Sequence, residues 1–194
     1  MSHEAIFYFP SLLIFALQSF SQQKTHPNFI IVLCDDLGYG DIDINGGMIP
    51  TPNLSNMARE GLVATNYYSA ANLCTPSRAG LLTGRYPVRT GLGYEVILSG
   101  EDRRLPLSEK TIAAVLKPDY VSGLFGKWHL GHTGETWLPT YHGFDKFFGI
   151  PYSHDIFPLS VYEADANSNK VIVTPPDTPK ASAIVLFECR KIYC

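Results

Sequence analysis

"NFIIVLCDD", residues 28–36, is an unbroken apolar run that ends in two carboxylates and leads into the glycine-rich loop "LGYGD", residues 37–41. A strand with one wet face alternates apolar and polar residues. A continuous apolar run predicts instead a strand buried on both faces, as in parallel sheets covered by helices. Functional groups collect at the carboxyl ends of such strands. Asp35 and Asp36 therefore fall at the expected edge of a site.

Outward from that run, "TPNLSNMAREGL" (51–62) has Leu54, Met57, Ala58 and Leu62 at helical spacing, Pro52 in the first turn and Gly61 as punctuation. "VATNYYSA" (63–70) reads as a strand. "TPSRAGLLTG" (75–84) predicts a second helix that opens near Pro76 and closes at Gly84. "SEKTIAAVLK" (108–117) predicts a third, capped by Ser108 and halted before Pro118. "YVSGLFGKWHLG" (120–131) is a short strand leading into a loop, and "HGFDKFFGIPYSHD" (142–155) reads as irregular. This order predicts an α/β fold with a mostly parallel sheet flanked by helices.

The chain has 194 residues, 45% of them hydrophobic and 17% charged, enough for one sizeable core. A net charge of -3 without any Lys/Arg-rich run argues against nucleic acid as a partner. Residues 1–22 include an apolar stretch from Ala5 to Leu17, broken by Pro10 and followed by Ser19 and Ser21. That pattern predicts a secretory signal peptide, and no other stretch approaches the ~18 apolar residues of a membrane span. The expected destination is the secretory pathway, lysosomal or extracellular. Cys34, in the apolar run, reads as a small buried hydrophobe, and Cys189 and Cys194 either pair or stay free.

The remaining cysteine sits in "NLCTPSRAGLLTGR", residues 72–85, at a helix start. A helix N-terminus offers unpaired N–H groups and a dipole favourable to anions. Arg78 follows Cys74 by one turn on the same face, so its guanidinium can return toward position 74. In "GKWHLG", Lys127 and His129 alternate about Trp128, which in an extended segment puts both on one side. Asp35 and Asp36 supply hard oxygen ligands suited to Ca²⁺ or Mg²⁺, although an Asp-Asp pair also serves as an Asx turn.

Together, "CDDLGYGD", "TPNLSNMAREGL", "LCTPSRAGLLTGR", "GKWHLGH" and "HGFDKFFGIPYSHD" resemble the type I sulfatases in order and approximate spacing. The likeness is greatest to the arylsulfatase A and N-acetylgalactosamine-6-sulfatase group. It implies an alkaline-phosphatase-like sulfatase fold, with residues 28–175 as the N-terminal portion of the catalytic domain. It also implies a sulfuric ester hydrolase in which Cys74 is converted to Cα-formylglycine by a formylglycine-generating enzyme. One hydroxyl of the hydrated aldehyde would attack sulfur and the other would later expel sulfate, dividing one hard displacement into two steps.

By the same resemblance, one calcium ion is held by Asp35, Asp36 and residue 74. Arg78 stabilises the hydrate, Lys127 binds sulfate and the hydrate, and His129 hydrogen-bonds the hydrate and acts as base. Ser153 matches a sulfate-contacting serine, with a plain turn serine as the other reading. The substrate implied is an aryl or sugar sulfate. A phosphoesterase of the related alkaline-phosphatase group would carry Ser or Thr at position 74. Asn53-Leu54-Ser55 is a formal glycosylation sequon at a helix start.

The family's later metal-binding and sulfate-binding residues are not matched. Residues 180–194, within "KASAIVLFECRKIYC", do not resemble the family's continuation. The sequence thus reads as a sulfatase whose C-terminal part is missing, and a non-catalytic secreted fragment acting as an interaction protein is the alternative.

Overall fold

The computed structural model describes residues 26–175 except 118, 157, 158 and 169. The expected signal peptide at 1–22 and the tail at 180–194, with Cys189 and Cys194, lie outside the described residues. The chain divides into two units, residues 1–31 and 32–194, and the elements below belong to the second.

Among the described residues it has three α-helices and four strands, besides short 3₁₀ turns: α1 Pro52–Glu60, α2 Cys74–Thr83, α3 Ile112–Leu116, β1 Gly123–Lys127, β2 Lys146–Ile150, β3 Val161–Asp165 and β4 Lys170–Thr174. The strands form one sheet in the order β1-β2-β3-β4. β1 runs parallel to β2, while β2–β3 and β3–β4 are antiparallel. Connection length explains the difference. A parallel return needs a crossover of a dozen or more residues. Residues 128–145 provide one, including a 3₁₀ turn at Pro139–His142; the links after β2 and β3 are shorter. The α/β class is thus observed, with a mixed sheet among the described residues.

The predicted second helix forms as α2 and ends where expected. Gly84, with φ 65°, takes the left-handed cap, and its N–H donates to Gly80 O at 2.9 Å. Gly149 is required by close approach: it pairs with Gly126 across the parallel ladder, and a Cβ there would lie 1.8 Å from Gly126 O.

Four expectations need correction. Residues 28–36 do not form a strand, and Phe29 to Leu33 are exposed. A strand is fixed by its ladder, and among the described residues this run has none. Residues 63–70 are likewise irregular, with Tyr67 and Tyr68 exposed, so aromatic and β-branched content alone did not make a strand there. α3 is capped by Thr111, whose Oγ1 accepts from the Ala114 N–H at 3.1 Å, and not by Ser108. Residues 146–150, read as irregular, are β2, because the glycine that suggested a loop is the one the ladder requires. The hairpin β3–β4 was not anticipated.

α1 forms where predicted but ends at Glu60; its Met57 is exposed, and so is Leu62 beyond its end. Its start is anchored by polar contacts. The Asp43 carboxylate accepts from Thr51 Oγ1 at 2.7 Å and from the Ser55 hydroxyl, and its pKa is lowered to about 2 by these bonds, Ser55 first. Ser55 belongs to the formal sequon, and Asn53 is exposed on the first turn.

The main core packs Trp128, Leu130, Phe144 and Phe147 with Ala79 of α2 and Ala113 of α3. A second cluster, Ile150, Tyr152, Leu159 and Val161, lies along β2 and β3. The Trp128 ring meets Phe144 edge-on at 6.5 Å. Trp128 thereby fixes the carboxyl end of β1, on either side of which Lys127 and His129 stand.

Candidate active site

The carboxyl end of β1 and the first turns of α2 bring together most of the residues singled out in the sequence. Lys127 is the last residue of β1, and its side chain is 2% exposed. Its Nζ donates to Asp35 Oδ2 at 2.7 Å and to Ser153 Oγ at 3.1 Å. Arg78, one turn into α2, donates from Nη2 to Asp35 Oδ1 at 3.2 Å and from Nη1 to the Lys127 carbonyl at 2.7 Å. Its Nε is buried and has no hydrogen-bond partner among the described residues.

Asp35 thus receives both cations. Burial alone would raise its pKa, but hydrogen bonding and charge from Lys127, with the charge of Arg78, outweigh that and bring it down to about 2. The carboxylate is therefore ionised across the physiological range. Asp36 is exposed, with backbone in the left-handed region at φ 55°. Cys74, the first residue of α2, is a half-buried free thiol. Cys34 is also half-buried, less so than its apolar neighbours implied.

One ligand atom each from Asp35, Asp36 and Cys74 lie within 4.8 Å of one another. The two carboxylates suit a hard divalent cation; a thiol sulfur does not. Cys74 Sγ therefore stands where an oxygen would have to be for the three to act as one calcium-binding group. An oxygen-bearing residue derived from Cys74 fits that requirement, and the unmodified thiol does not.

α2 is preceded by Leu73 as its N-cap, which makes no side-chain cap bond and so leaves the N–H groups at the helix start without a capping side chain. Beside it, Arg78 and Lys127 supply positive charge. The cluster is chemically a place for a small tetrahedral anion next to a cation.

His129 is 1% exposed, and its backbone is left-handed, with φ 57°. The extended alternation expected for Lys127 and His129 thus ends at Trp128. Desolvation, then the charges of Lys127 and Arg78, lower the His129 pKa to about 4. The ring is neutral at pH 7 and close enough to both cations to feel them.

Sequence reasoning placed Asp35, Asp36, Cys74, Arg78, Lys127, His129 and Ser153 in one site, and the structure brings them to the same end of β1 and α2. It passed over Thr75 and the backbone of Ile97, both of which hydrogen-bond to His129. Thr75 lay inside the quoted motif but was read only as helix. Ile97, acting through its carbonyl, has no sequence signal. A recess of about 250 Å³ lined by Lys117, Thr140, Tyr141, Ala164, Asp165, Ala166 and Val171 includes none of the site residues.

Residues 27–175 match the family model described as Sulfatase. The chain is 46% identical to human arylsulfatase A over 173 residues, covering 88% of this chain and 32% of that protein. It is 45% identical to human N-acetylgalactosamine-6-sulfatase over 141 residues, covering 66% of this chain and 26% of that protein. Among solved structures, the PsFucS1 sulfatase from Pseudoalteromonas sp. superposes with a TM-score of 0.68 at 30% identity, covering 80% of this chain and 37% of that one. The chain spans about a third of the length of the curated relatives it matches.

Proposed function

The chain belongs to the sulfatase family, and from that premise we propose that it carries the nucleophile-bearing part of an arylsulfatase-like sulfuric ester hydrolase. The observation that supports this most strongly is the convergence of Cys74, Arg78 and Lys127 with Asp35 at the open start of α2.

Position 74 would be the site of Cα-formylglycine, and Asp35, Asp36 and residue 74 would hold one Ca²⁺. When present, the hydrated aldehyde supplies a nucleophilic hydroxyl, and the cation offsets the charge of the sulfate oxygens. The chain's own residues do the rest. Lys127 and Arg78 present positive charge to the ester's oxygens, and the first N–H groups of α2 point the same way. Lys127 is held by Asp35 and Ser153, so it meets the anion without first being ordered. His129, kept neutral by burial and by the neighbouring cations, is at pH 7 in the unprotonated form a general base requires. Ser153 contacts both Lys127 and the sulfate.

The substrate is an aryl or sugar sulfate, and the maturation partner is the formylglycine-generating enzyme. The route is the secretory pathway, ending in the lysosome or outside the cell. Among the described residues no helix is long and apolar enough to cross a membrane.

The test is hydrolysis of an aryl sulfate by the chain co-expressed with that enzyme in secretory cells. Turnover that disappears in Cys74→Ala supports the proposal. Equal turnover by wild type and Cys74→Ala contradicts it.

A further inference from the structure

His129 is fixed by contacts that the roles above do not use. Its N–H donates to the Pro151 carbonyl at 2.9 Å. Its own carbonyl accepts from Thr75 Oγ1 at 3.0 Å, and Thr75 Oγ1 in turn accepts the Ile97 N–H at 3.1 Å. The Ile97 carbonyl lies 3.0 Å from His129 Nε2. Thr75, Ile97 and His129 are each no more than 1% exposed, so water does not stand in for any of these bonds.

A carbonyl oxygen only accepts, so Nε2 carries the proton of the neutral ring and Nδ1 carries the lone pair. Nδ1 is buried and has no hydrogen-bond partner among the described residues. A left-handed backbone at a non-glycine residue is disfavoured and persists only where surrounding contacts over-determine it. The bond from Thr75 to the His129 carbonyl is one such contact. The threonine hydroxyl has one proton and accepting lone pairs, and this arrangement uses both functions.

We propose that Thr75 is a positioning residue: its hydroxyl holds His129 in the left-handed conformation and, by fixing the Ile97 backbone, in the Nε2–H tautomer that leaves Nδ1 to take the proton. This rests on the reading of His129 as the proton acceptor. In the step itself a hydroxyl of the hydrated residue 74 would give up its proton: that O–H bond breaks and leaves its electron pair on oxygen, the N–H bond forms at Nδ1, the ring becomes cationic, and Nε2–H keeps its bond to Ile97. No electrons are transferred to or from the ring. The residue after the nucleophile position thus sets the direction of the base as well as the start of the helix.

The experiment is a two-bond ¹⁵N–¹H correlation spectrum of the ¹⁵N-histidine-labelled full chain, for wild type, Thr75→Ser and Thr75→Val. Wild type and Thr75→Ser are expected to show His129 as the Nε2–H tautomer. Thr75→Val, similar in shape but without the hydroxyl, is expected to show mixed tautomers. In the matured protein acting on an aryl sulfate, Thr75→Val is expected to lower kcat by about 10- to 100-fold while KM stays nearly constant, with Thr75→Ser restoring it.

An Nδ1–H signal for wild-type His129 overturns the proposal. So does a folded Thr75→Val whose tautomer is unchanged. If Thr75→Val does not fold, Thr75→Ala, which also lacks the hydroxyl, takes its place in the same spectrum: mixed tautomers are expected, and an unchanged Nε2–H tautomer overturns the proposal. Absence of sulfate-ester hydrolysis by the wild type counts against the proposed function, whereas the tautomer pattern judges the role of Thr75 independently.

Discussion

Lys127 and His129 are each held from more than one direction, whereas Asp36, on the acidic side of the same cluster, is exposed on a segment with no strand ladder among the described residues. The cationic side rests on a paired strand, a packed tryptophan and a helix. The acidic side has three donor groups, against the six to eight oxygen ligands calcium takes. The groups proposed to meet sulfate are therefore pre-organised by the fold, while a calcium ion at the proposed cation site would need ligands beyond these three side chains. A change on the cationic side should register in both folding and chemistry, and one at Asp36 mainly in metal affinity.

That contrast is broken most sharply at Cys74. In the matured protein, Cys74→Ala is expected to reduce aryl sulfate turnover by more than about 10³-fold while leaving the melting temperature nearly unchanged, since covalent catalysis depends on the nucleophile. Equal activity in the variant would remove residue 74 from the chemistry.

Lys127→Ala should affect both properties. It leaves Asp35 with only Arg78, and breaking a buried pair costs about 3–5 kcal/mol. Urea denaturation measures the loss, and a change under about 1 kcal/mol would mean that the pair is effectively exposed. Gly149→Ala tests the scaffold alone. Forcing a Cβ against Gly126 O should cost about 1–3 kcal/mol by the same assay, without touching a site residue.

A further expectation concerns pH dependence. His129 and His142 both have pKa values lowered to about 4, with desolvation as the first cause. The unfolded chain binds protons at these positions below about pH 6.5, whereas the folded chain does so only near pH 4. Stability should therefore fall as pH drops through that interval and flatten, for these two groups, below it. His129→Gln should reduce the slope measured by denaturation at successive pH values. An unchanged slope would place the buried neutral ring in doubt.

Much of this was legible in the sequence because it depends on local chemistry. α2 was readable from Pro76 and Gly84, β1 as the short strand expected within residues 120–131, and the candidate site residues from the motifs that carry the family resemblance. The misreadings share one cause: pairing is not local. Residues 28–36 have the composition of a buried strand but no ladder among the described residues, and residues 146–150 have a loop-like glycine yet pair on both sides. The cap of α3 moved to Thr111 because its hydroxyl also reaches the His142 carbonyl, a contact made across the fold. Thr75 was missed for a similar reason, its partners being Ile97 and His129.

The central claim is that position 74 is converted into the nucleophile, and mass spectrometry of the tryptic peptide spanning residues 60–78, from chain made in secretory cells with the formylglycine-generating enzyme, tests it most directly. Conversion of cysteine to formylglycine lowers the peptide mass by about 18 Da, a covalent change independent of any assay of turnover. The account predicts that shift at Cys74 and its loss in Cys74→Ala. A peptide of unmodified mass, from cells that convert a control sulfatase, would contradict it.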